Sequence, residues 1–129
     1  MEIAKAVDIV AELRDPENGC PWDLKQTHES LTKYFIEEVE EVCEVLEDFE
    51  NTKDYTNLKD ELGDVLLQVL LHSQLASEAN EFTFDDVVSN LIEKLIRRHP
   101  HVFGDSEAKT VEEVEKQWKL IKEQEKNEN

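Results

Sequence analysis

Three glycines and three prolines punctuate 129 residues. That leaves too few chain-reversal residues for the turn-dense connections of a β-sandwich or barrel and favours long helices, so no sheet is expected. No stretch reaches the roughly 18 consecutive apolar residues that a membrane-spanning helix requires. The opening MEIAKAVDIVAEL has no basic region followed by an apolar run and a small-residue cleavage site, and a cytoplasmic protein without a membrane partner is expected. Cys20 and Cys43 show neither CxxC spacing nor paired histidines nearby, so reduced thiols are expected rather than a disulfide framework or a zinc site. Positive charge is scarce too. Fourteen Lys and Arg stand against 32 Asp and Glu, a formal net charge of -18, which repels nucleic acid phosphates and anionic membranes over most of the surface. A polyanionic ligand can bind only where cations or a metal reverse that field locally.

What the chain does have is helical periodicity, at a length suited to one domain spanning 1–129. Residues 2–14 place Ile3, Val7, Val10 and Leu13 on one face, and the turn signals Asp15-Pro16 and Asn18-Gly19 end that helix. Thr27 caps a second helix running to about Phe49, with Leu31, Phe35, Val42, Val45 and Phe49 at heptad-like spacing. The third, from about Tyr55 to Ala79, contains LGDVLLQVLLHSQL. It is apolar on almost every side, which requires burial at the centre of the molecule or at a subunit interface. Thr83 with Asp86 forms a capping box, stapled by Phe82 and Val87, for a fourth helix that Pro100 stops near Arg98. Thr110 with Glu113 repeats the device for a last helix bearing Val111, Val114, Trp118 and Ile121, which frays into a polar tail over 121–129. An all-α bundle of about five helices is expected.

Carboxylates interrupt this pattern at core positions. On the second helix Glu38 falls within the arc of Leu31, Phe35, Val42, Val45 and Phe49, with Glu41 at its edge. On the third, Asn57, Glu61, Asp64, Gln68 and His72 step along one polar stripe, so Glu61 and Asp64 share a face. Acidic pairs are ordinarily the wet face of an amphipathic helix, and Glu40 and Glu44 are read that way. The inward phase of Glu38, Glu41, Glu61 and Asp64, with the same i, i+3 pair on each of two helices, argues otherwise. Four buried carboxylates without partners would cost several kcal/mol apiece, which a divalent cation removes. Hard oxygen donors without cysteine point to Mg²⁺, with Mn²⁺ as a substitute. The number of ions stays open. A di-iron bundle needs Glu-x-x-His pairs, which are absent, and His72 is read as a core histidine.

The densest positive region is Lys94, Arg97, Arg98, His99 and His101. Its guanidinium forks and ammonium suit phosphate oxygens, although basic residues also complement the negative end of a helix dipole. Trp118 and Lys122, one turn apart, could stack on or cap a ligand, while the phase of Trp118 suits the core. Trp22 and Asp23 in GCPWD are open in the same way.

With these residues in view, the chain resembles the MazG family of all-α nucleoside triphosphate pyrophosphohydrolases. The resemblance runs through LRDPENGCPWDLKQTHESL, YFIEEVEEV, DELGDVLLQVLLHSQ, EKLIRRHPHVFGD and QWKLIKEQEK. The family signature EExxE, a spacer, then ExxD reads here as Glu37, Glu38 and Glu41, then Glu61 and Asp64. The resemblance implies that Glu38, Glu41, Glu61 and Asp64 ligate Mg²⁺, that Glu37 is a nearby carboxylate that either supports the ligands from outside or orients a water, and that Lys94, Arg97, Arg98, Trp118 and Lys122 face the nucleotide. It also implies cleavage between the α and β phosphates of a nucleoside triphosphate to monophosphate and pyrophosphate, in clearing non-canonical or excess triphosphates. It implies a homodimer or higher homo-oligomer that completes the site between the two carboxylate-bearing helices. Longer members carry two such units in tandem, whereas this chain holds one. Glu37 and Glu41 both remain candidates for the base. A competing reading, a non-catalytic metal- or nucleotide-binding oligomerisation module, explains the leucine-rich third helix. It does not explain inward acids on two helices together with a compact basic patch.

Overall fold

The computed structural model describes residues 1–128, and among them every regular element is a helix, with no strand. None of these helices is long and apolar enough to cross a membrane. The chain divides into two compact units, Met1–Phe84 and the residues from Asp85 onward.

In the first unit, α1 (Glu2–Leu13), α2 (Pro21–Lys25), α3 (His28–Glu47), α4 (Phe49–Thr52) and α5 (Tyr55–Glu78) follow in order. Thr27 starts α3 as expected. Its side chain accepts the Ser30 N–H, and the Ser30 hydroxyl accepts the Thr27 N–H, so two otherwise orphaned donors are satisfied reciprocally. Asp54 caps α5 through the Asn57 N–H. The second helix stops short of the expected Phe49. Asp48 breaks it, its carboxylate accepts from the Asn51 amide, and the short α4 closes at Lys53 in the left-handed region at φ 50°. Elements of four or five residues carry no periodic signal, which is why α2 and α4 were not legible in the sequence.

α3 and α5 run antiparallel, with His28 against His72 at one end of their contact and Glu38 and Glu41 against Glu61 and Asp64 further along. Val10, Leu31, Leu70 and Leu71 form the buried core, with Ala6, Val7, Tyr34, Leu75 and Phe84 packed around it. Burial of α5 is therefore one-sided and confined to its C-terminal half. Leu70, Leu71 and Ala76 are buried, whereas Leu62, Leu66 and Leu67 remain 51, 40 and 38 % exposed. Within the first unit the helix is covered on one side, and part of its apolar excess stays exposed.

Arg14 locks the entrance loop. Its guanidinium makes two bonds to the Glu78 carboxylate at the end of α5, at 2.8 and 2.9 Å, and donates to the Asp23 carbonyl in α2. Trp22 packs edge-on against Tyr34 at 5.4 Å. The GCPWD segment is thus a brace between α1, α3 and α5.

The second unit carries most of α6 (Phe84–Arg98), then α7 (Pro100–Phe103) and α8 (Val111–Asn127). Pro100 ends α6 and opens α7 as its first residue, where a missing N–H does no harm. Thr110 caps α8 through the Glu113 N–H. The tail expected to fray from residue 121 is helical to Asn127, and Glu125 within it bonds both Arg97 and Arg98.

Gly19 closes the loop after α1, with its N–H on the Asp15 carbonyl and the next N–H on the Leu13 carbonyl. A Cβ at this position would sit 2.4 Å from the Leu13 oxygen and 2.6 Å from the Asp15 oxygen, both rigid backbone. Replacing Gly19 by alanine is expected to lower the unfolding free energy by about 1–3 kcal/mol, the range for overpacking a tight site. Urea denaturation reads the change, and an unaltered midpoint would show that the loop yields without strain.

Candidate metal centre

Helical phase decides what α3 presents to α5. Glu38 and Glu41 leave α3 on the side that also carries Leu31, and the Leu31 side chain is fully buried. Glu61 and Asp64 are one turn apart on the facing side of α5. Packing the apolar residues therefore also brings the acids together. One carboxylate oxygen from each of Glu38, Glu41, Glu61 and Asp64 lies within 4.8 Å of the others.

On two of these residues one carboxylate oxygen, Glu38 Oε2 and Glu61 Oε2, is shut off from solvent and has no hydrogen-bond partner. A polar atom left this way is unfavourable, and more so when charged. The electrostatics carry the same signature. Burial first, then the charges of Glu41 and Asp64, push the Glu38 carboxyl above its ordinary range. Glu61 is raised to about 7, chiefly by a proton shared with Glu41, then by burial and by the neighbouring acids. The quartet thus retains a proton near neutrality for want of positive charge. All four donors are hard carboxylate oxygens, and no imidazole or thiolate joins the group. That donor set fits a hard divalent cation.

Glu37 is exposed and outside the quartet, yet its charge contributes to the shift of Glu38. His72 is half-buried, 2.8 Å from His28 between Nδ1 atoms and in ring contact with Phe35. Burial, then the charge of His28, lower its pKa.

The basic candidates lie on α6 and α8. Arg97 Nε donates to Glu125 Oε2 at 2.7 Å and Arg98 Nη2 to Glu125 Oε1 at 2.8 Å. Hydrogen bonds from Arg98 and then Arg97 hold the Glu125 carboxyl down to about 2. Trp118, whose phase suits a core residue, is 37 % exposed. Lys122 Nζ stands 5.0 Å from its ring centroid, and the His99 ring lies 5.9 Å away. The apolar face of α8 is only half covered, so Val111 is exposed as well. Sequence reading missed Glu125, since nothing local marks one glutamate among 32 acids as the partner of two arginines 27 and 28 residues away.

Comparison with known proteins gives a consistent picture. A family model described as the MazG nucleotide pyrophosphohydrolase domain matches residues 26–103. That span holds Glu37, the quartet, Lys94, Arg97 and Arg98, while Trp118 and Lys122 lie beyond it. The nucleoside triphosphate pyrophosphohydrolase/pyrophosphatase MazG of Thermotoga maritima is 54 % identical over 120 residues, 93 % of this chain and 44 % of the relative. The nucleoside triphosphate pyrophosphohydrolase of Escherichia coli is 42 % identical over 125 residues, 97 % of this chain and 46 % of the relative. The chain spans less than half the length of these two curated relatives. A crystal structure of a mazG-related protein from Thermotoga maritima superposes with a TM-score of 0.72 at 30 % identity, covering 93 % of this chain and 98 % of that one.

The raised Glu61 carboxyl has a measurable consequence in the metal-free protein. An acid whose folded pKa is about 7 against 4.5 when unfolded holds a proton that the unfolded chain has released. Its contribution to stability is full below about pH 4.5 and is lost as pH rises through 7. Relative to Glu61→Gln, chelator-treated wild type is therefore expected to lose thermal stability progressively from pH 5 to pH 8. Parallel melting curves for the two proteins would show that Glu61 titrates normally.

Proposed function

This chain belongs to the MazG nucleotide pyrophosphohydrolase domain family, and from that premise we propose that it hydrolyses nucleoside triphosphates to the monophosphate and pyrophosphate. The observation that carries the proposal is the convergence of four carboxylates from α3 and α5 within 4.8 Å. Glu38, Glu41, Glu61 and Asp64 would hold the ion. Bound there, Mg²⁺, or Mn²⁺ in its place, supplies positive charge to phosphate oxygens and lowers the pKa of a coordinated water.

The remaining steps fall to the chain's own side chains. Glu41 lies inside the quartet and would give an oxygen to the ion. Glu37 lies outside it but close enough to influence Glu38, and we assign to Glu37 the proton of the water that attacks the α-phosphorus. Lys94, Arg97 and Arg98 are assigned to the phosphate oxygens of the leaving pyrophosphate. Glu125 supports this role, because a carboxylate gripping both guanidinium groups holds them oriented before substrate arrives. Trp118, exposed and bracketed by Lys122 and His99, offers a face for the nucleotide. Clearing non-canonical or excess triphosphates is the role proposed for this activity, in the cytoplasm.

We also assign the chain to a homodimer or higher homo-oligomer. The support is apolar surface that the chain leaves uncovered: Leu62, Leu66 and Leu67 on α5, and Leu91, Ile92, Leu95 and Ile96 along α6.

The test is product analysis. Purified protein incubated with canonical and modified nucleoside triphosphates, with and without Mg²⁺, is expected to release monophosphate and pyrophosphate only with metal. Folded Glu38→Gln and Asp64→Asn variants are expected to lose at least about a hundredfold in rate, beyond the range of substitutions outside the ligand set. Full activity in either would remove the quartet from the mechanism. Nucleotide and metal binding without cleavage would favour a non-catalytic module, and diphosphate with orthophosphate would place the cut at the other bond.

A further inference from the structure

The polar stripe of α5 does not end at Asp64. One turn on, Gln68 is 5 % exposed, and its Oε1 is buried with no hydrogen-bond partner. An amide oxygen stranded in this way costs about 1–3 kcal/mol unless a donor reaches it. No protein donor bonds it. In the antiparallel register fixed by His28 with His72 and by Glu38 with Asp64, the stretch of α3 at this level carries Leu31 and Phe35, which have no polar hydrogen. His72 turns its Nδ1 to His28, and neither of its ring nitrogens bonds the Gln68 oxygen.

Side chains on a helix lean towards its N-terminus, so Gln68 leans back over the turn that bears Asp64. Residues at i and i+4 are neighbours on a helix face, with Cβ atoms about 5–6 Å apart, so the Gln68 amide oxygen and the Asp64 carboxylate are close enough for one water to bridge them. Ionised carboxylates are acceptors only and cannot satisfy an amide oxygen, and the proton that the quartet retains is engaged between Glu61 and Glu41. A small hard cation in the quartet would keep several waters, and each brings polarised O–H donors.

We propose that Gln68 is a positioning residue of the metal centre, its Oε1 accepting a hydrogen bond from a water in the coordination shell of the ion held by the quartet. The inference rests on the metal reading of Glu38, Glu41, Glu61 and Asp64. It explains why an amide stands among Leu70, Leu71 and Ala76 in the most buried part of α5: an apolar residue of the same volume would leave the water without its acceptor. Gln68 acts on the orientation and retention of that water and touches neither ion nor nucleotide.

The experiment is a calorimetric titration of Mn²⁺ into the full chain, with water proton relaxation to count the waters on the bound ion. Gln68→Met keeps the volume and removes the oxygen. It is expected to melt no lower than wild type without metal, since the stranded oxygen is gone, and to bind Mn²⁺ about 10–100-fold more weakly, as substitutions just outside a ligand set do. The number of waters on the ion is expected to stay the same. Gln68→Glu, which restores an acceptor, is expected to recover affinity to within several-fold of wild type. Unchanged affinity in Gln68→Met would overturn the assignment, as would equal loss in both variants, which marks a packing role. One additional water on Mn²⁺ in Gln68→Met would overturn it differently, by making Gln68 a direct ligand. Wild-type protein that binds no Mn²⁺ would instead defeat the underlying metal reading.

Discussion

Four carboxylates held within 4.8 Å of one another repel, and the rest of the first unit is arranged so that they cannot separate. The same phase that turns Glu38 and Glu41 towards α5 turns Leu31 into the core, and the same face of α5 that carries Asp64 leads on to Leu71. Moving the acids apart would mean pulling these buried leucines out of contact. Burying a leucine is worth about 1.5–3 kcal/mol, comparable with the desolvation that the acids suffer, so the packed pair of helices can hold the strain. Arg14, tying α1 and α2 to the end of α5 through Glu78 and the Asp23 carbonyl, fastens the far end of the same helix. The clustered acids are kept where they are stable only with a proton or a cation among them.

The features legible in the sequence are those set within one or two helical turns. Thr27, Thr110 and Pro100 fix element ends by local hydrogen bonding and ring geometry, and the inward phase of Glu38, Glu41, Glu61 and Asp64 is a matter of 100° per residue. The all-α class follows from the same periodicity. What could not be read involves distance in the chain or elements too short to have a period. Arg14 and Glu78 are 64 residues apart, and His28 and His72 are 44 apart. The helices α2, α4 and α7 are four or five residues long. The polarity of the tail after residue 121 predicts fraying, whereas the grip of Arg97 and Arg98 on Glu125 lies within its helix.

The third long helix shows how composition and environment part company. Its leucine content demands burial, yet the folded chain covers only the C-terminal half, leaving Leu62, Leu66 and Leu67 at the surface on the same turns that carry Glu61 and Asp64. Apolar and acidic side chains thus alternate around one cylinder. Water shed from that surface by a second copy would also lower the dielectric around the quartet and strengthen every interaction within it.

The most direct test of the central claim is anomalous diffraction from a crystal of the protein soaked in Mn²⁺. A peak bounded by Glu38, Glu41, Glu61 and Asp64, at the roughly 2.0–2.3 Å expected for a small divalent ion on carboxylate oxygens, is the expected result. Mn²⁺ found only on the exposed acids, with the quartet protonated and empty, would contradict it.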